Sequence, residues 1–255
     1  MSATAVDGFA PVRLDELVAE AALLSRVDRK YVLPVEDAAA FVAALDPATR
    51  VLDLDGLRDP VYETVYFDTP DLLSYRLAAH SRRRRFKIRT RTYVETGGAY
   101  LEVKTRGARS LTVKERVDYD PEDRERLTED GRLAAGDALD AIGVGGARAE
   151  ELTPTLTTRY RRTTLVPPGE GIRATLDTEL RWRQADGAAL STPGLAILET
   201  KSPAGASAID RALWRRGHRP VGISKYGTGL AAMHPELPSN KWARVIRRHF
   251  RTGGL

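Results

Sequence analysis

Cysteine does not occur anywhere in the 255-residue sequence, which excludes disulfide bonds, thiolate zinc sites and thiol nucleophiles. Histidine is scarce: His80, His218, His234 and His249 lie far apart, without the spacing of metal ligands, so we expect surface or structural roles for them. Long apolar runs are also missing, and residues 1–10 lack the basic start and apolar stretch of a signal peptide. We therefore expect a soluble, cytoplasmic protein without a transmembrane segment.

The composition is that of an ordered domain with a core of its own. Hydrophobic residues make up 42% of the chain and charged residues 29%. Lysine and arginine number 40 against 35 aspartates and glutamates, which gives a formal net charge of +5. This excess is moderate, so its importance depends on where the cations are placed.

Short strand-like segments with a few helices between them run along the chain. The alternation of residues predicts eight strands, at 28–33, 61–68, 84–93, 99–105, 111–119, 157–165, 172–183 and 195–201. Helical patterns occur at 14–24, 34–45, within 121–145, at 207–217 and at 224–233. We expect a flexible N-terminus (1–13), a single domain (14–238), and a basic amphipathic C-terminal helix and tail (239–255).

The predicted strands repeatedly carry ions on one face. In the segment SRRRRFKIRTRTY, residues 81–93, every odd position from Arg83 to Arg91 is cationic, and a strand points alternate side chains to the same side. Across the strands this face combines nine bases with five acids. The bases are Lys30, Lys87, Arg89, Arg91, Lys104, Lys114, Arg116, Arg173 and Arg181, and the acids are Asp28, Glu102, Asp177, Glu179 and Glu199.

Two arrangements are compatible with this pattern. In an open antiparallel sandwich the ionic face would simply be solvated. Eight strands are also enough to close a barrel around one ligand, which would turn the charges inward. Buried ions need partners, and the acids are outnumbered, so the closed form would bind an elongated polyanion such as a chain of phosphates.

A series of nine short motifs, in order over residues 24–235, gives the chain a resemblance to a known family. The motifs are RVDRKY (26–31), YFDTP (66–70), FKIRTRTY (86–93), LEVKT (101–105), TVKER (112–116), YRRT (160–163), ATLDTEL (174–180), LETK (198–201) and SKY (224–226). The sequence resembles the VTC (vacuolar transporter chaperone) catalytic domain, a polyphosphate polymerase of the triphosphate tunnel metalloenzyme (CYTH-like) superfamily. The resemblance implies a mainly β (α+β) fold, a closed eight-stranded antiparallel β-barrel tunnel with flanking helices.

The same resemblance implies an activity and a set of site residues. The expected reaction transfers the terminal phosphate of ATP to a growing polyphosphate chain with a divalent metal, Mn²⁺ or Mg²⁺. The catalytic, phosphate-binding residues would be Lys30, Arg89, Arg91, Lys104, Lys114, Arg162 and Lys225. Further substrate contacts would come from Lys87, Arg116, Tyr160, Arg173 and Lys201, and the metal ligand would be Glu199.

One departure from the superfamily concerns the first strand. Hydrolase and cyclase relatives typically open with E-x-E-x-K, whereas the corresponding positions here are Arg26, Asp28 and Lys30. This difference favours the polymerase branch and leaves the number of metal ligands open, with Glu102, Asp177 and Glu179 as further candidates or as ion-pair partners.

Other functions and partners remain open at this point. An inorganic triphosphatase or nucleotide phosphohydrolase, and a noncatalytic module that binds polyphosphate or RNA, are the alternatives. We expect ATP and polyphosphate or pyrophosphate as ligands, no specific nucleic acid, and control or export through membrane partners in trans.

The pattern GTGLAA (227–232) imitates a dinucleotide fingerprint but lacks the strand–turn–helix context. The helix near 239–250 would either pack on the domain or grip polyphosphate or an anionic membrane.

Overall fold

A computed structural model of the protein describes residues 6–21, 27–107, 112–169, 171–203 and 205–250. The chain divides into two compact units. The first unit comprises residues 1–61, 160–180 and 192–222, and the second comprises residues 62–159, 181–191 and 223–255. Arg26, which begins the first of the nine motifs, lies outside the described residues.

Eleven strands are present in the described residues. They are β1 (Ala10–Val12), β2 (Val27–Pro34), β3 (Arg50–Leu52), β4 (Val61–Asp68), β5 (Arg85–Tyr93), β6 (Ala99–Arg106), β7 (Thr112–Tyr119), β8 (Thr153–Val166), β9 (Arg173–Arg183), β10 (Ala189–Thr192) and β11 (Leu195–Ser202). The eight strands expected from alternation correspond to β2, β4 to β9 and β11. The three strands that the sequence did not indicate have three or four residues each, too few to show a period of two.

Seven α-helices accompany these strands in the described part of the chain. They are α1 (Leu14–Ala21), α2 (Val35–Ala43), α3 (Leu73–Ala79), α4 (Glu129–Ala141), α5 (Ala208–Arg215), α6 (Lys225–Met233) and α7 (Ala243–His249). Single 3₁₀ turns occupy Pro121–Asp123 and Gly146–Glu151. Of the helices described, none has the length and apolar character needed to cross a membrane.

The hydrogen-bonded strand order corrects the expected barrel. The order is β2-β11-β9-β8-β4-β5-β6-β7, with β1 paired to β3, β3 to β8, and β10 to β9. The prediction of a mainly antiparallel sheet with flanking helices is confirmed. The prediction of a closed, eight-stranded barrel is wrong, because the sheet has 11 strands and its end strands, β2 and β7, are not paired with each other among the described residues. Alternation reveals which side a residue faces, but it contains no information about whether edge strands meet.

Each unit has its own hydrophobic core. In the first unit, α2 and α5 cover the side of β2, β9 and β11 that carries Leu33, Leu176 and Leu198. In the second unit, α4 covers the side of β5 and β6 that carries Ile88 and Leu101. Because side chains alternate along a strand, burying these apolar residues turns the ionic residues of the same strands to the opposite side.

Two glycines in α6 allow that helix to approach two tryptophans of the second unit. A Cβ atom added at Gly227 would overlap the ring of Trp242, and one added at Gly229 would overlap the ring of Trp182. Both indoles are almost completely buried. The GTG sequence therefore serves close packing, in agreement with the rejection of a dinucleotide fingerprint.

Replacing Gly227 by alanine should lower the free energy of unfolding. Alanine favours an isolated helix by about 1 kcal/mol over glycine, but overfilling a packed core costs about 1–3 kcal/mol, and we expect the second effect to win. Chemical denaturation measures the difference. Gly136→Ala in α4 is the matched control, because its Cβ would make only ordinary contacts. Equal stability of the two variants would contradict the packing role of Gly227.

Candidate functional site

The registers of β5, β6 and β7 place six cations on one side of the second unit's sheet. Lys87 pairs with Lys104 and Lys104 with Lys114, and in the next row Arg89 pairs with Glu102 and Glu102 with Arg116. Arg91 lies two residues beyond Arg89 on the same side. We call this set the second-unit charged face; it consists of Lys87, Arg89, Arg91, Glu102, Lys104, Lys114 and Arg116.

Glu102 is the buried acid at the centre of this face. Its carboxylate, in a residue only 2% exposed, lies 2.6 Å from Nη2 of Arg89, 2.9 Å from Nζ of Lys114 and 3.7 Å from Nη1 of Arg91. Burial alone would raise the pKa of Glu102, but the charges of Arg89, Arg91 and Lys114 outweigh it and hold that pKa well below its usual range. The ionised carboxylate therefore fixes the direction of three cations.

Aromatic rings support three cations of the second-unit charged face. The ammonium of Lys87 and the guanidinium of Arg89 lie 5.8 Å and 5.9 Å from the centre of the Tyr66 ring. The guanidinium of Arg116 stacks 3.4 Å from the centre of the Tyr100 ring. Ring contacts of this kind favour the charged form and restrict long side chains. Cations ordered in this way need little further ordering when an anion binds.

The SKY motif reaches the same face through Lys87. The Lys87 ammonium donates to Oγ of Ser224 at 3.0 Å, and this oxygen also accepts from the backbone N–H of Gly227, which caps the start of α6. Lys225 is the first residue of that helix. The Tyr226 ring stacks on Tyr66, with ring centres 5.1 Å apart. Lys225 therefore directly follows Ser224, whose hydroxyl oxygen contacts Lys87.

Asp68, in the YFDTP motif, connects the start of α3 with Tyr226 in α6. Its carboxylate accepts hydrogen bonds from the backbone N–H groups of Thr69 (2.8 Å), Ser74 (2.8 Å) and Tyr75 (2.9 Å), and from the Tyr226 hydroxyl (2.5 Å). Burial raises the pKa of Asp68, and the same four bonds oppose that increase. Burial and the adjacent carboxylate raise the pKa of Tyr226 well above its usual value, so this phenol stays protonated. One side chain therefore joins α3 to α6.

The first unit has its own charged face on β2, β11, β9 and β8. The Glu199 carboxylate lies 3.1 Å from Nζ of Lys201 and 3.8 Å from Nζ of Lys30. Arg162 forms a two-pronged ion pair with Asp177, at 2.6 Å and 2.8 Å. Because Glu199 pairs with Lys30 and Thr175 in register, and Lys201 with Arg173, these side chains share one side of the sheet. We call Lys30, Arg162, Asp177, Glu199 and Lys201 the first-unit charged face.

The ionisation of Glu199 follows from these neighbours. Burial alone would raise its pKa, but the charges of Lys30, Lys201 and Arg162 dominate and hold the pKa well below its usual range. Burial also lowers the pKa of Lys201, although the charge of Glu199 counteracts this shift. The carboxylate is thus ionised, and it already lies against two ammonium groups.

Two predicted substrate contacts of the first unit have structural partners. Tyr160 is almost completely buried, and the Arg162 guanidinium lies 5.3 Å from the centre of its ring, so it supports Arg162. The guanidinium of Arg173 donates to the carbonyl oxygen of Leu17 at 2.8 Å, which directs it toward α1. Tyr160 thus orients Arg162, whereas Arg173 contacts α1, and the roles of both residues in substrate binding stay predictions.

The carboxylates of the two charged faces are the candidate ligands for a metal ion. Within the described residues, no group of three or more histidine, cysteine, aspartate or glutamate side chains could hold a metal ion. Glu102 is occupied by three cations, Asp177 by Arg162, and the half-exposed Glu179 lies 3.5 Å from Arg161. An all-protein cage therefore does not fit. Glu199 is likewise flanked by Lys201 and Lys30, so it fits a metal site only as one carboxylate beside phosphate oxygens and water, which is the way Mg²⁺ is usually held.

The sequence prediction missed the residues that hold the second-unit charged face in place. Asp68 and Tyr66 belong to the YFDTP motif and Tyr226 belongs to the SKY motif. Among the residues of these two motifs, the sequence predicted a role for Lys225 alone. A capping residue normally stands directly before its helix, but Leu72 holds that position for α3 and Asp68 lies five residues before Leu73, so the role of Asp68 toward α3 had no local signal. Its bond to Tyr226, 158 residues away, had none either.

The comparisons with known proteins agree with the motif series. The family model for the VTC domain matches residues 25–234. The chain therefore belongs to the VTC domain family. No curated protein matches it.

Solved structures with similar folds have low sequence identity. A candidate adenylate cyclase from Bacillus halodurans has 14% identity and a TM-score of 0.49, with 78% of this chain and 93% of that chain covered. A candidate adenylyl cyclase from Hippeastrum, described as having a dominant triphosphatase activity, has 17% identity and a TM-score of 0.46, with 85% and 100% covered. A conserved protein from Pyrococcus furiosus has 13% identity and a TM-score of 0.39, with 76% and 88% covered.

Proposed function

We propose that the protein is a polyphosphate polymerase that transfers the terminal phosphate of ATP to a growing inorganic polyphosphate chain. The observation that carries the proposal is the second-unit charged face, where six cations lie on one side of the sheet and three of them contact the buried carboxylate of Glu102. A ligand with several anionic groups would offset the remaining positive charge. Membership of the VTC domain family supports the choice of phosphate.

The side chains present match the demands of phosphoryl transfer between phosphates. The end of a polyphosphate chain is already an anionic oxygen nucleophile, so no general base is needed to remove a proton. The barrier then depends on alignment of the reacting groups and on neutralisation of charge on the transferred phosphoryl group. Arg89 and Arg91, held in direction by Glu102, are suited to bind phosphate oxygens with two parallel hydrogen bonds. Lys87, Lys104 and Lys114 add a row of positive charge.

On the first unit, Lys30, Arg162 and Lys201 would bind phosphates through the first-unit charged face. In this proposal Glu199 holds the divalent metal, Mn²⁺ or Mg²⁺, which when bound neutralises phosphate charge. Lys225, at the start of α6, would contact the phosphate chain as well. These assignments agree with the family motifs LETK and SKY.

Incubation of the purified protein with ATP and Mn²⁺, followed by gel electrophoresis of the product, tests the proposed function. A ladder of polyphosphate is the expected result. Release of free phosphate alone would identify a hydrolase, and unchanged ATP with retained affinity would identify a binding module. Either of these two results would overturn the polymerase proposal.

Replacing Glu199 by glutamine should weaken the apparent affinity for the metal more than any other single substitution. Glutamine keeps the shape of the side chain and removes the charge that would hold the cation, so the metal concentration for half-maximal rate should rise about tenfold or more. A titration of activity with Mn²⁺ measures this concentration. Glu179→Gln is the control, because Glu179 is half exposed and lies beside Arg161. A metal titration identical to that of the wild type would remove Glu199 from the site.

A further inference from the structure

A groove lined by arginines opens on the second unit, apart from its charged face. Its volume is about 380 Å³, and Arg159, Arg181 and Arg183 line it together with Glu63, Leu190 and Ser191. This volume lies within the range of small-molecule sites in proteins. We call this feature the arginine groove.

The register of β4 shows that the arginine groove faces away from Arg89 and Arg91. Thr64 pairs with Arg91 and Tyr66 with Arg89, whereas Glu63 pairs with Thr92. Neighbouring residues in a strand point to opposite sides of the sheet, so Glu63 lies on the reverse of the second-unit charged face. A ligand in the groove would therefore not compete directly with one bound by Arg89.

The charges in and beside the groove do not cancel. Glu63 is paired with Arg124 at 3.2 Å and with Arg159 at 3.5 Å. Among the residues that the structure describes, Arg183 has one long contact, with Glu125 at 3.9 Å between two exposed side chains. Such an exposed pair contributes little. In and beside the groove, the arginines therefore outnumber the carboxylates by four (Arg124, Arg159, Arg181 and Arg183) to two (Glu63 and Glu125).

Arg181 is the arginine of the groove whose guanidinium is best placed to bind a ligand. Its guanidinium forms no hydrogen bond or ion pair with the part of the chain that the structure describes, and the residue is exposed. Its guanidinium has a fork of donors that matches the oxygens of a phosphate group. The apolar side chain of Leu190 lies in the same groove and offers a contact for an uncharged part of a ligand.

We propose that the arginine groove binds a phosphate-bearing small molecule at a site separate from the second-unit charged face. The phosphate would lie against Arg181 and Arg183, with the hydroxyl of Ser191 as a further hydrogen-bonding group. Two sources share this chemistry, an inorganic diphosphate and a nucleoside phosphate. The position of the groove suits an anion that regulates the protein rather than one that reacts in it.

Calorimetric titration of the full-length protein tests the proposal with inorganic pyrophosphate, ATP and adenosine as separate probes. Four proteins are compared: the wild type, Arg181→Glu, Arg89→Ala and the control Arg215→Glu. Arg215 is an exposed residue of α5 in the first unit, so its substitution changes the net charge as Arg181→Glu does. Circular dichroism verifies that each variant is folded.

The expected result is a class of phosphate site that Arg181→Glu weakens at least tenfold, and that Arg89→Ala and Arg215→Glu leave unchanged. Equal binding of pyrophosphate and ATP identifies the inorganic ligand, and tighter binding of ATP with measurable binding of adenosine identifies the nucleotide. Binding that Arg215→Glu weakens as much as Arg181→Glu would show general charge attraction and overturn the proposal. Unchanged binding in Arg181→Glu would also overturn it. Failure of the polymerase proposal would instead show in the Arg89→Ala titration and the product ladder.

Discussion

Replacing Arg89 by alanine should abolish elongation of polyphosphate, with a loss of rate of at least about 100-fold, and the same substitution at Arg91 should act alike. Both guanidinium groups lie against the buried Glu102 and on the side of the sheet with the row of lysines. Removing one of them takes away a preorganised charge that we expect to stabilise the transferred phosphoryl group. The rate of product formation from ATP measures the effect.

Arg83→Ala is the matched control for this experiment. Arg83 belongs to the same basic run of the sequence, but it precedes β5 and is exposed. We expect it to retain elongation close to that of the wild type. The thermal unfolding of Arg89→Ala should remain cooperative, because Arg91 and Lys114 still compensate Glu102. Wild-type rates in both Arg89→Ala and Arg91→Ala would contradict the role of the second-unit charged face.

Replacing Asp68 by alanine should lower the free energy of unfolding by about 3 kcal/mol or more. The substitution leaves two backbone N–H groups at the start of α3, that of Thr69 and the Tyr226 hydroxyl without their acceptor. A buried donor that loses its partner costs about 1–3 kcal/mol. Denaturant unfolding of the variant and the wild type measures the difference.

Two conservative variants separate the functions of Asp68. Asp68→Asn retains one oxygen acceptor but places an amide opposite other donors, so its loss of stability should be smaller than that of alanine. Tyr226→Phe removes only the hydroxyl and retains the stacking on Tyr66. Its stability should lie closest to that of the wild type. A loss below about 1 kcal/mol in Asp68→Ala would show that this carboxylate does not join α3 to α6.

The alternation of residues was sufficient to predict much of the second-unit charged face. The period of two in residues 84–93 and 99–105 placed Lys87, Arg89 and Arg91 together, and Glu102 with Lys104, before any register was known. The register then brought Glu102 opposite Arg89, a pairing that depends on the turn between β5 and β6. Contacts over long stretches of sequence, such as Asp68 with Tyr226, have no local signal.

Arg181 shows where the same reasoning failed. Alternation grouped it with Arg173 and Asp177, whereas the structure places it in the arginine groove with Glu63. Glu179 lies between Asp177 and Arg181 in β9, and its φ of 53° is in the left-handed region. A residue in that conformation interrupts the regular pleat of a strand and re-aims the side chains that follow. Glutamate rarely adopts this conformation, so residue 179 did not indicate an interruption of the strand.

The charged residues of β7 have a second consequence, for solubility. This strand ends the sheet order, and along it Lys114, Glu115, Arg116 and Asp118 are exposed beside the apolar Val113 and Val117. Closely spaced charges on an edge strand oppose the addition of a strand from another molecule. The cations that would hold a phosphate chain therefore also discourage self-association into fibrils.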